Sequence, residues 1–315
     1  MEFVLVVQEQ DESIMEERIT LHSHYDGLDV SILVKEPDDE PLAVLQLTHG
    51  MKGYKERFLP LMNYMAQHGV VCVANDLRGH GESVRRKEDR GYMYEGGYVA
   101  LVEDMKQVTD WIHQTYPGLP VFLLGHSMGS LAVRIYMKTH DDAVSGVILC
   151  GSPSDSPISP AALFLAGLLN RFNDGRIRTG MIQNFTSWIY NRRFSSEGRN
   201  AWTCSDADVR DAYAGNPAGA FEFTANGMYA LMSMMRETYS HDGWQMMNPH
   251  LPVYFISGSD DPCMRNEASF HAAAQLLADV GYSDVTSAIY GGMRHEVLNE
   301  KGKESVWNDI LEHIL

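Results

Sequence analysis

Residues 121–136 read VFLLGHSMGSLAVRIY: an apolar run breaks at Gly-His-Ser-Met-Gly and then resumes with helical spacing. A short buried strand that passes straight into a helix needs a sharp turn. Glycines at 125 and 129 leave room where side chains would collide. A serine in this G-x-S-x-G pattern sits on a strained strand-to-helix turn, with its hydroxyl pushed out above a sheet. The same five residues also serve as an ordinary tight turn, so the rest of the chain must choose between a turn and a nucleophile.

Around this junction, strand signals alternate with helix signals. Residues 17–24 (ERITLHSH) and 28–34 (LDVSILV) read as strands joined at Tyr25-Asp26-Gly27, a hairpin turn of the Asp-Gly kind. Residues 43–48 (AVLQLT), 70–74 (VVCVA), 121–124, 144–149, 252–257 (PVYFIS) and 286–290 (TSAIY) read as further strands. Helical spacing covers 57–68, 98–116, 127–138, 267–280 and 303–315, with Gly69 and Pro117-Gly118 closing the first two. Short apolar strands separated by such helices build an α/β fold, a mostly parallel central sheet with helices on both faces. The opening hairpin belongs at one edge.

About a hundred residues separate the strand near 149 from the one at 252, where a crossover needs only a dozen or more. Rich in Met, Phe, Tyr and Trp, residues 154–248 are predicted to form an inserted helical cap (lid). Residues 1–153 and 249–315 then make the core domain. The cap would cover the C-terminal edge of the sheet, where open α/β sheets bind ligands.

With 315 residues, 44% hydrophobic and 21% charged, the composition is that of a soluble globular chain large enough for one such domain with an insertion. The longest apolar stretches, such as 161–169, are too short to cross a bilayer, so no stable membrane insertion is expected. The opening MEFVLVVQEQDE has no basic leader and no small-residue cleavage site, so no secretory signal is expected. A formal charge of −17 repels nucleic-acid phosphates and anionic membrane surfaces, which argues against either as a main partner. Arg85, Arg86 and Lys87 read as a solvated loop. The four cysteines, Cys72, Cys150, Cys204 and Cys263, form no C-x-x-C pair. Cys72 and Cys150 lie in strand-like runs as small buried hydrophobes. A reduced, cytoplasmic setting is the plain expectation.

A serine hydroxyl near neutral pH needs a general base, itself oriented by a carboxylate. On this fold the chain order is Ser, then Asp or Glu, then His. Residues 256–263 (ISGSDDPC) end a strand in a turn carrying Asp260 and Asp261, and residues 290–300 (YGGMRHEVLNE) lead from a strand through a Gly-rich loop to His295. Both lie at the sheet edge that carries Ser127. Of the 13 histidines, His295 alone follows a late strand in a flexible loop. Spacing leaves Asp260 and Asp261 in competition, with Asp155 a distant third. Two donors are needed for the oxyanion formed on attack: the N–H of Met128, after the nucleophile, and that of Met51 in the His49-Gly50-Met51 loop.

Taken together, LTHGMKGYKERF, NDLRGHGES, GHSMGS, GSDDP and GGMRHEVLNE resemble the monoacylglycerol lipase and lysophospholipase group of α/β-hydrolases, in that group's order and over most of the chain. The resemblance implies Ser127, Asp261 and His295 as a catalytic triad, because the group's acid is the third residue after the strand-ending glycine, here Gly258. It likewise implies an oxyanion hole made by Met51 and Met128. Lys52-Gly53-Tyr54 departs from the A-E-H that often follows in the group. The implied function is a serine hydrolase that cleaves carboxylic esters (a monoacylglycerol, lysophospholipid or similar acyl ester) through an acyl-enzyme. Such a triad requires no metal and no organic cofactor. Arg78 and His80 are read as structural hydrogen bonders. Phe185, Trp188, Trp202, Phe223 and Met228 are expected either to line an acyl pocket or to form the cap's own core. An aminopeptidase or amidase of the same fold would need an acidic group for a substrate ammonium, with Glu222 and Asp206 as the candidates. A non-catalytic binding protein would be expected to have a broken triad.

Overall fold

Every residue of five strands is buried: β3 (Ala43–Thr48), β4 (Val70–Asn75), β5 (Val121–His126), β6 (Gly146–Cys150) and, after the inserted segment, β7 (Val253–Gly258). Successive side chains of a strand point to opposite faces. Val44, Leu123, Leu149 and Phe255 therefore enter one apolar cluster, and Leu45, Leu124, Ile148 and Ile256 enter another. Strands with two apolar faces demand helices on both, and that requirement sets the architecture. The computed structural model describes residues 16–315, so the reading of residues 1–12 lies outside it.

Among the described residues, β1 (Glu16–His22), β2 (Asp29–Lys35) and β8 (Val285–Tyr290) complete an eight-stranded sheet, in the order β1-β2-β4-β3-β5-β6-β7-β8. β1 and β2 form the antiparallel hairpin at one edge, β2 meets β4 antiparallel, and every other pairing is parallel. The α/β sheet expected from the sequence is the one observed. A helical turn at Lys55–Phe58 precedes α1 (Leu59–Ala66), which is shorter than the predicted 57–68. Pro60 sits within the first turn of α1, where its missing N–H costs nothing. α2 (Gly97–Thr115), α3 (Met128–His140), α8 (Glu267–Val280) and α9 (Lys303–Ile314) lie close to their predicted spans.

Between β6 and β7 lie α4 (Ser159–Asn170), α5 (Gly180–Asn191), α6 (Ala207–Gly215) and α7 (Ala225–Thr238). They are unlike one another. α7 buries Ala230, Met234 and Met235 in the same cluster as α2 and α3. α4 buries only Ala166, α5 only Gly180, and α6 nothing. Phe164, Met181, Phe185 and Trp188 stand in solvent, Met181 at 89% exposure. Among the described residues no helix is long and apolar enough to cross a membrane.

Candidate active site

β5 runs on through His126, so the whole reversal into α3 falls on Ser127, with φ 55° and ψ −119°. That is a conformation L-residues avoid, worth roughly 1–3 kcal/mol of strain. It is held by the Ser127 N–H, which donates to the Cys150 carbonyl at 2.9 Å. The flanking glycines are required by contacts across the turn. A Cβ on Gly125 would lie 2.6 Å from the Gly129 carbonyl oxygen, and one on Gly129 would run into the Thr48 carbonyl at the end of β3. Gly129→Ala is therefore expected to destabilise the protein by about 3 kcal/mol, the upper range for overpacking. Denaturant unfolding against the wild type checks this.

His295 reaches Ser127 Oγ through Nε2 at 2.8 Å and Asp261 Oδ2 through Nδ1 at 2.9 Å. Asp261 is fixed in turn by the Cys263 N–H at 2.8 Å and the Ser257 hydroxyl at 3.2 Å. Asp260 points elsewhere and pairs with Arg193 at 2.7 Å. Asp155 holds its neighbour's N–H, from Ser156, at 2.8 Å. Among the three carboxylates weighed from the sequence, Asp261 is the one beside the imidazole. Burial alone would lower the basicity of His295, but the Asp261 carboxylate outweighs it and holds the imidazole well above its ordinary pKa. Asp261, Cys263 and His295 also present ligand atoms within 4.8 Å of one another, the geometry of a small metal site. His295 already spends both ring nitrogens, on Asp261 and Ser127, and burial pushes the Cys263 thiol up, which keeps it protonated.

Gly50-Met51-Lys52-Gly53 forms a turn closed by the Gly53 N–H on the Gly50 carbonyl at 2.9 Å. Lys52 takes φ 61°, as the third position of a type II turn demands, at a cost that glycine would avoid. The closing bond leaves the Met51 N–H outside the turn. Met128 is the first residue of α3, whose leading N–H groups have no intrahelical acceptor. A Cβ on Gly50 would lie 2.8 Å from Ser127 Cβ, so this turn abuts the serine directly. His49 braces the turn. Its Nε2 accepts the Leu77 N–H at 3.0 Å, which leaves the proton on Nδ1 to donate to the Gly50 carbonyl at 2.8 Å. Burial pushes its pKa down to about 3, so it stays neutral and keeps that tautomer.

Several residues at the site were not singled out from the sequence. His126, inside the G-x-S-x-G pattern, donates Nε2–H to the His295 carbonyl at 3.2 Å and is kept neutral by burial, with a pKa of about 4. Glu296, next to His295, pairs with Arg57 at 2.7 Å. Burial would raise its carboxyl, but Arg57 holds it at about 2. Arg294 donates to the Ala201 carbonyl and grips Glu197 with two bonds of 2.8 and 2.7 Å. These partners lie 90 or more positions apart in the chain, and no local pattern announces them.

Of the five apolar residues named from the sequence, Trp202 stands beside the imidazole, with ring centroids 5.2 Å apart. Phe185 and Trp188 stack on each other in solvent. Phe223 is fully buried against His80, and Met228 packs on the main core. Arg78 is buried on Asp104 at 2.8 Å and His80 donates to the Arg78 carbonyl. Asp206 caps α6 by accepting the Asp208 N–H, and Glu222 lies near enough to Lys52 to oppose, without overcoming, the lowering of its pKa by burial.

A mostly parallel sheet with a strained serine between β5 and α3, and a histidine and an aspartate beyond the ends of later strands, defines an α/β-hydrolase. The carboxyl esterase of Bacillus coagulans, solved with glycerol, superposes at a TM-score of 0.87 with 25% identity, over 96% of this chain and 98% of that one. A soluble variant of the Saccharomyces cerevisiae monoglyceride lipase, in complex with a substrate analogue, has the same fold at a TM-score of 0.72 and 19% identity, over 96% of this chain and 97% of that one. Among sequences, the chain is 25% identical over 293 residues to the monoacylglycerol lipase of Mycolicibacterium smegmatis, 92% of this chain and 94% of that one. The family described as Serine aminopeptidase, S33 (Hydrolase_4) matches residues 39–302, and the chain belongs to it.

Proposed function

We propose that this carboxylic ester hydrolase works through Ser127, His295 and Asp261. The observation that carries the reading is the unbroken relay of 2.8 and 2.9 Å from Ser127 Oγ through His295 to Asp261. In this mechanism Oγ attacks the acyl carbonyl carbon as its proton passes to His295 Nε2. The oxyanion gathers the Met51 and Met128 N–H groups. His295 returns the proton to the departing alcohol, which leaves an ester on Ser127. A water then gives its proton to His295 and attacks that ester; His295 passes the proton to the departing Ser127 Oγ, which frees the carboxylic acid and restores the serine. Asp261 holds the tautomer with its proton on Nδ1 throughout.

The substrate class we propose is an acyl ester with a small polar head, of the monoacylglycerol or lysophospholipid type. The relatives' names support it, as do the solvent-facing apolar side chains of α5, whose Tyr190 packs on Trp202 beside His295. Residues 154–248 would act as the cap that receives the chain. All four cysteines are free and buried, which fits a reducing, cytoplasmic compartment.

A fluorophosphonate probe is expected to label Ser127 stoichiometrically in the folded protein; an unlabelled serine would overturn the reading. Turnover of p-nitrophenyl acyl esters of rising chain length should exceed that of aminoacyl anilides. Faster anilide cleavage would instead favour an aminopeptidase, with Glu222 as the residue to test.

A further inference from the structure

Tyr213, on α6 of the inserted segment, touches both halves of the site. Its hydroxyl donates to the Lys52 carbonyl at 2.9 Å, on the turn that carries Met51. Its ring lies 3.9 Å beneath the Arg57 guanidinium. Arg57 pairs with Glu296 at 2.7 Å, one residue from His295. Tyr54, beside the same turn, stacks on the Tyr213 ring with centroids 6.5 Å apart. Gly219, just beyond α6, packs so closely that an added Cβ would lie 3.1 Å from the Lys52 carbonyl oxygen and 2.9 Å from the Tyr213 ring. No other helix of the inserted segment reaches the oxyanion turn in this way among the hydrogen bonds and ring contacts of the described residues.

The need for such a contact is local. Lys52 is held at φ 61°, which a lysine abandons readily when nothing restrains it. If Lys52 relaxed, the peptide planes of the turn would rotate, and the Met51 N–H would no longer face the place where the oxyanion forms. His49 braces the near end of the turn through the Gly50 carbonyl, but among the described residues the Lys52 carbonyl has its hydrogen bond from Tyr213 alone.

We infer that Tyr213 is a positioning residue for the ester hydrolysis. It pins the strained Lys52 peptide, so that docking of α6 sets the oxyanion donor. The inference rests on the proposed triad and oxyanion hole, and it assigns to the inserted segment a part in transition-state stabilisation. An interaction made with the turn and not with the substrate should appear in kcat and leave KM nearly alone.

The test is a cycle of Tyr213→Phe and Lys52→Gly, measured on one p-nitrophenyl ester. Tyr213→Phe keeps the ring on Arg57 and loses only the hydroxyl. It should lower kcat about 5- to 10-fold, the worth of one hydrogen bond, with KM within about 2-fold and an unchanged Tm. Glycine adopts the positive φ freely, so in the Lys52→Gly background the same Tyr213→Phe step should cost less than about 2-fold. A wild-type kcat for Tyr213→Phe, a loss confined to KM, or the same loss in both backgrounds would each overturn the inference. Fluorophosphonate labelling separates this outcome from failure of the underlying reading. Tyr213→Phe should still label to full stoichiometry, only more slowly, whereas an unlabelled wild type removes the triad itself.

Discussion

Ser127→Ala is expected to lower kcat/KM by about 10⁴-fold or more, while Tm stays within about 2 °C of the wild type. The size follows from the division of labour at the site. In the proposed mechanism no acyl-enzyme forms without Oγ, and His295 and Asp261 then have nothing to activate, so further removal of either should add little. What survives is the contribution of the two N–H donors and of binding. Stability survives because the strained backbone at 127 is held by its N–H bond to Cys150 and by glycine packing, none of which involves the hydroxyl. Steady-state hydrolysis, with a thermal melt on the same sample, checks both halves. Activity within about 100-fold of the wild type would remove Ser127 from the chemistry.

Asp261→Asn should cost nearly as much, about 10⁴-fold in kcat, because an amide there favours the wrong imidazole tautomer. The pH profile distinguishes it. In the proposed mechanism His295 must be neutral to accept the serine proton, and Asp261 holds its pKa well above the ordinary 6.5. The acid limb of kcat/KM in the wild type should therefore lie on the alkaline side of 6.5. In the Asn variant only burial remains, so the limb should move below 6.5. Stability carries the same sign. A pKa raised by folding stabilises the folded state fully below about 6.5, and that contribution fades as pH climbs through the raised value. Wild-type Tm should fall more steeply than that of Asp261→Asn between pH 6 and pH 9. Parallel slopes would mean that the pair does not titrate as described.

The sheet was legible because both of its faces are apolar and its strands are short, so periodicity and glycines located nearly every element. Helices α8 and α9 began where their pattern begins. The nucleophile turn was legible because a positive φ and two close backbone approaches leave a local mark. The choice between Asp260 and Asp261 was not settled by spacing. Adjacent residues on a turn point in different directions, and only the fold shows Asp260 meeting Arg193 while Asp261 meets His295. Phe185 and Trp188 had the composition of a pocket lining. The helix that bears them has no neighbour on that side, however, and composition does not record which way a helix is turned. His126, Arg57 and Tyr213 were invisible for a third reason: each acts on a backbone carbonyl or a charge far away in the chain.

The Arg294 and Glu296 contacts bear on how the inserted segment is held to the site. Glu197, Ala201, Thr203 and Ser205 are all tied to the loop that carries His295, through Arg294, the Glu296 N–H and Glu300. That stretch of the inserted segment is bonded directly to the loop that carries the proposed base. α5 is bonded to the same stretch, with Ser187 donating to the Asn200 side chain and the Asn191 side chain accepting the Trp202 N–H, while α4 buries only Ala166. A displacement of α5 or of residues 197–205 would therefore reach His295 through this run of hydrogen bonds.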